Sequence, residues 1–130
     1  MDPLLFIAAI LGLIAFFAHA FVGDKEFRLL RPNNDSNEKT QETWIQTRAG
    51  WHWVSIDLLL SSLLLFLFST TSLLSNIRTE LLSLLSLYFL ICSIVWLAIV
   101  LLSKNKPKQI LVLGQWIFCF IMSTLIYLSI

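Results

Sequence analysis

Charge is what this sequence has least of. Only 13% of its 130 residues are charged, against roughly 25% in an ordinary soluble domain. With 58% of the residues hydrophobic, that shortage excludes a water-soluble globule. A chain this short cannot hide so much apolar surface from water, and the surplus has to face lipid. Net charge is also nearly absent, at +1, which gives no basis for binding nucleic acid. The four glycines form no Gly-rich phosphate-binding loop. The two cysteines, Cys92 and Cys119, both sit inside apolar runs. That placement excludes a disulfide framework, and with no histidine nearby it makes a poor zinc site. They read as small packing residues.

What the chain has is long apolar runs. Four of them, about 3–22, 51–74, 81–102 and 110–130, are each long enough for a helical crossing, which needs about 20 residues. Strands with open edges are excluded at that depth, because their backbone groups would find no partner. The expected fold is therefore all-α: an integral membrane four-helix bundle, antiparallel and up-down, forming one membrane domain over residues 1–130. Ala18-His19-Ala20 imitates a signal-peptide cleavage site. However, Met1-Asp2 supplies no basic n-region and the apolar run is long, so the segment reads as a retained helix.

Orientation follows from the basic residues. Lys25, Arg28, Arg31, Lys39 and Arg48 fall between the first two runs, and Lys104, Lys106 and Lys108 between the last two. Arg78 alone falls on the other side. The positive-inside rule then places both loops in the cytoplasm and both termini outside. Localisation in a bacterial inner membrane is the corresponding expectation.

The first loop, 23–50, is the longest polar stretch. Asp24–Arg31 can form a short amphipathic helix with Phe27 and Leu30 toward the membrane, stopped by Pro32. Ser36 or Asn37 can cap a second helix through Trp44 to Arg48, with a bend at Gly50. Trp44, Trp51 and Trp53 make an interfacial aromatic cluster. The Leu/Ser-rich stretch from Leu58 to Leu87 is a compositional bias in which serines can bond back within their own helix.

A few polar residues in or beside the apolar runs are the candidate functional groups. Ala8, Gly12, Ala15 and His19 share one helix face, and small residues there let another helix come close, which turns His19 inward. His52 opens the second run on the same membrane side. Together His19 and His52 could ligate a haem or a metal, or each could make one interfacial hydrogen bond. Asp57 lies about one and a half turns inside the second run, where a charge costs ~2.5 kcal/mol or more. A polar layer of His19, Asp57, Trp96 and Gln115 is geometrically allowed, either as helix–helix glue or as a proton-coupled or ligand site. Asp57 is expected to face the interior and to contact Gln115 or the Trp96 indole. No catalytic constellation emerges: the serines lie in apolar helices, and Asp57 and Glu80 belong to opposite membrane sides.

At HAFVGDKEFRLLRP followed by AGWHW, the chain resembles a group of small bacterial inner-membrane proteins. These carry a His ending the first helix, then Gly and an acidic residue, then Arg-Pro, and a Trp-His pair opening the second helix. The resemblance covers about the first 60 residues and implies that His19, Gly23, Glu26, Arg31, Pro32, Trp51 and His52 form one cytoplasmic-face cluster. It implies no reaction. Small multidrug transporters share the four-helix size, but the glutamate expected in their first helix is missing here. The expected role is thus a small accessory or assembly subunit without catalysis, partnered by lipid and by another membrane protein or its own copies. The alternatives are a haem- or ligand-binding bundle using His19 and His52, and a small transporter using Asp57.

Overall fold

A computed structural model describes residues 1–72, 74–103, 110 and 113–130. Among these residues every regular element is a helix. Helix α1 (Pro3–Phe17) begins with local chemistry suited to it. Asp2 Oδ1 accepts the backbone N–H groups of Leu4 and Leu5 at 3.1 and 3.3 Å. Pro3, which has no N–H to leave unsatisfied, occupies the first helical position.

The first helix does not give way to a loop at Gly23, where the first loop was expected to begin. Helix α1 passes into a π-helical turn, Ala18–Gly23, and then directly into α2 (Asp24–Arg28). Gly23 has ordinary helical angles, φ −65° and ψ −38°. The helix ends just ahead of Pro32, through short-range bonds from Leu29 to Glu26 and from Leu30 to Phe27.

The bend expected at Gly50 is absent too. Asn37 Oδ1 accepts the Thr40 N–H at 2.8 Å, and α3 runs unbroken from Glu38 to Thr70, 33 residues. One interior glycine costs a helix only about 1 kcal/mol, and no proline interrupts the stretch. The expected loop 23–50 therefore shrinks to 29–37. At 1.5 Å per residue α3 is ~50 Å long, longer than the ~30 Å hydrocarbon core of a bilayer, and its polar residues are concentrated in its first part.

Helix α4 (Arg78–Leu102) starts three residues earlier than expected. Helix α5 (Gln115–Tyr127) has 13 residues, fewer than the run 110–130 suggested. It is ~20 Å long by its rise, short of a full crossing. Three helical runs are long and apolar enough to cross a membrane: Pro3–Arg28, Glu38–Thr70 and Arg78–Leu102. Lys104, Lys106 and Lys108 lie outside the described residues.

Contacts divide the chain into two compact units, Ala9–Leu64 and Met1–Ala8 with Leu65–Ile130. In the second unit α4 packs on α5 through serines. Ser86 Oγ donates to the Ser123 carbonyl at 3.0 Å and lies 3.2 Å from Ser123 Oγ. Ser93 Oγ donates to the Trp116 carbonyl at 2.8 Å, and the Trp96 indole N–H to the Leu113 carbonyl at 3.3 Å. Partner numbers fall from 123 to 113 as those on α4 rise from 86 to 96. In the same unit Asp2 ties together three chain segments: its N–H donates to the Ser69 carbonyl at 3.0 Å, and its carboxylate pairs with Arg78 at 3.2 Å.

The serines divide by what faces them. Ser62 and Ser69 bond back to their own helix, at the Leu58 and Phe66 carbonyls, as the sequence suggests. Ser86 and Ser93 instead reach across to α5. Seven residues apart, they share one helix face, and their small side chains let the facing backbone come within bonding range. Ser86→Ala is expected to cost about 0.6 kcal/mol, the usual worth of such a bond in a membrane protein. Ser86→Leu overfills the same contact and costs about 1–3 kcal/mol. Unfolding of both variants in mixed micelles measures the difference, and equal midpoints would contradict the close α4–α5 approach.

Candidate functional site

The unit Ala9–Leu64 holds a dense polar and aromatic cluster, built where the π-helical turn and α2 meet α3. Its centre is Asp24, 4% exposed. Arg28, one turn further along α2, pairs with it at 2.7 Å. From α3, Arg48 Nε donates to Oδ1 at 3.1 Å, and His52 Nε2 lies 3.2 Å from the same oxygen. Arg48 and His52 are four residues apart and so share a helix face. The two guanidinium groups each stabilise the Asp24 anion and together offset its burial.

Below this ion network lies an aromatic stack. The His19 and Trp51 rings are 3.9 Å apart and nearly parallel, at 9°. The Trp51 indole N–H donates to the His19 carbonyl at 3.0 Å. A π-turn disrupts the regular carbonyl-to-amide ladder, and here a side chain of α3 serves a carbonyl in that turn. His19 Nδ1 lies 2.9 Å from Ser55 Oγ. Phe27 packs on Trp51 and Trp44 at 5.8 and 6.1 Å between centroids, so it faces protein rather than the membrane as expected. Leu30 is 71% exposed. The guanidinium groups of Arg31 and Arg48 lie 5.8 and 5.5 Å from the Trp44 ring centre.

Gly23 makes the assembly fit. A Cβ at this position would fall on the Trp51 indole, so only glycine lets α3 come this close. The small-residue face of α1 behaves as its spacing implies: Ala8 and Gly12 are buried, and Ala15 and His19 half-buried.

Several expected participants lie elsewhere. Glu26 is exposed and takes part in no ion pair among the described residues. It sits two residues, roughly 200°, around α2 from Asp24. Asp57 is exposed on α3 instead of facing inward. The buried face of that helix here is Ser55, Leu58 and Ser62, about 130° away at 100° per residue. Two members of the expected polar layer make hydrogen bonds within their own units: His19 Nδ1 lies against Ser55, and the Trp96 indole N–H donates to the Leu113 carbonyl. Gln115 is exposed at the start of α5.

The residues that sequence reasoning passed over are Asp24, Arg48 and Ser55. The i, i+4 spacing of Asp24 and Arg28 was the one visible signal. Chemically, the cluster is a charge-compensated clasp between two helices. It presents no activated nucleophile. For His52 to ligate a metal or haem through Nε2, it would first have to leave Asp24. Comparison with protein families, with curated proteins and with solved structures yields no match to this chain.

Proposed function

We propose that this chain is a small non-catalytic subunit of a bacterial inner membrane, crossing it three times through its long helical runs and a fourth time through α5 together with the apolar residues that flank it in the sequence run 110–130, with both termini outside. The supporting observation is unburied apolar surface. In the most apolar stretches of the three long helical runs, only 22, 28 and 22% of the residues are buried. The rest calls for lipid or for partner helices. The bonded region around Asp24 joins α2 to α3 through Arg28, Arg48 and His52, which suits a structural role. The pairing of Asp2 with Ser69 and of His19 with Ser55 favours α1 and α3 running in opposite directions. The likeness to small inner-membrane proteins in HAFVGDKEFRLLRP and AGWHW is part of the same proposal, and the meeting of His19, Gly23, Trp51 and His52 supports it.

Affinity purification from native membranes in mild detergent tests the role. A partner protein in fixed ratio, or a defined homo-oligomer, is the expected result. A bare monomer that turns over a substrate would overturn it. Probes placed at residues 33–40 should label only from the cytoplasmic side, and labelling from outside would reverse the topology.

A further inference from the structure

The loop between α2 and α3 and the start of α3 enclose a shallow cavity of about 460 Å³, lined by Leu30, Pro32, Lys39, Thr40, Thr43 and Trp44. The loop is held in shape by Gln41, whose amide donates to the Asn34 and Ser36 carbonyls at 3.2 and 3.1 Å. Two cations attend the cavity. Lys39 lines it, and Arg31 lies over the Trp44 ring that forms part of its wall. Arg28, Arg48 and Arg78 all pair with aspartates, whereas Arg31 and Lys39 pair with no carboxylate among the described residues. The Trp44 indole N–H is buried and has no acceptor among them. The cavity thus has one unpaired cation, Lys39, in its lining and a second, Arg31, over the ring of Trp44 in its wall, beside apolar surface, and no carboxylate lines it.

Depth identifies what such a site would meet. Trp44 stands seven residues before Trp51 on one continuous helix, which is ~10 Å along its axis. With Trp51 at the edge of the hydrocarbon, Trp44 and the cavity lie in the headgroup layer. We propose that this cavity binds the headgroup of an anionic phospholipid. The Arg31 fork and the Lys39 ammonium hold the phosphate. Leu30, Pro32 and the Trp44 face pack on the glycerol and the upper acyl chains. The proposal rests on the membrane reading above and adds a lipid preference to it.

The test uses the full chain purified in detergent and titrated with phosphatidylglycerol or phosphatidylcholine of the same acyl chains, with bound lipid counted by native mass spectrometry. Phosphatidylglycerol should bind more tightly, and the double variant Arg31→Gln/Lys39→Gln should lose roughly 30-fold in its affinity, about fivefold for each cation. Lys25→Gln removes an exposed charge outside the cavity and should leave the preference in place. Equal binding of the two lipids, or an equal loss with Lys25→Gln, overturns the site. Displacement of the lipid by millimolar inorganic phosphate would assign the cavity to free phosphate and overturn the lipid reading. Both changes in the double variant are at exposed side chains, and an unchanged melting curve shows that its fold is kept. Release of the chain from membranes by alkaline carbonate would sink the membrane reading itself. Retention in the membrane without a lipid preference sinks only this proposal.

Discussion

Asp24→Ala lowers the unfolding midpoint further than any other single polar substitution in the unit Ala9–Leu64. The reason is what remains behind. Asp24 is buried and is the shared partner of Arg28, Arg48 and His52. Without it, three groups that carry or can carry positive charge crowd one site with no anion. Breaking a buried pair from one side is far more damaging than replacing both sides. Asp24→Asn should also be harmful, because it loses the negative charge and keeps only one acceptor oxygen, while its NH2 turns donor hydrogens toward whichever of Arg28, or Arg48 and His52, the lost oxygen served. The double variant Asp24→Ala/Arg48→Met should recover part of the loss. Thermal unfolding in one detergent, followed by tryptophan fluorescence, ranks the variants. Single variants that melt with the wild type, or a double variant worse than the sum of its singles, would show that the network does not hold α2 against α3.

Two glycines should respond with opposite signs to the same change. Gly23→Ala places a methyl on the Trp51 indole, and overpacking of this kind costs about 1–3 kcal/mol. The backbone at Gly23 is ordinary helix, so the cost is purely one of space. Trp51→Ala should therefore relieve it, giving a double variant less damaged than the two singles together. Gly50 lies inside α3, and a methyl added there would meet nothing within 4 Å. Gly50→Ala should stabilise α3 by ~1 kcal/mol, the difference in helix propensity. Urea or SDS unfolding of the four variants provides the comparison. A neutral Gly23→Ala would mean that α3 stands further from the first helix than the Gly23–Trp51 contact requires.

The contrast between those glycines shows where sequence reading stops. Composition and run length alone determine that the chain is helical and apolar. A backbone in lipid must satisfy its own hydrogen bonds, and 20-residue apolar runs do so only as helices. The small-residue face of α1, with His19 at its end, is legible for a related reason, since helical periodicity follows directly from residue spacing. The helix ends are less so. Gly23 and Gly50 bound the expected loop, yet both are helical, because the bonded turns around a single glycine outweigh its ~1 kcal/mol penalty.

The site itself was decided by tertiary structure. Asp24 and Glu26 are both acids on the same short helix, and nothing local separates them. Asp24 is central because its side of α2 meets Arg48 and His52 on α3, while Glu26 points elsewhere. Asp57 illustrates the converse. Its rarity within an apolar run marks it as unusual, but the stripe of Ser55, Leu58 and Ser62 took the buried face of α3 and left Asp57 on the exposed one. Likewise, Ser62 and Ser86 are the same residue in the same kind of helix, yet one bonds its own turn and the other a neighbouring backbone. Spacing along one helix determines which residues share a face. Which face is buried, and against what, depends on the approach of a second helix, and that is settled only when the chain packs.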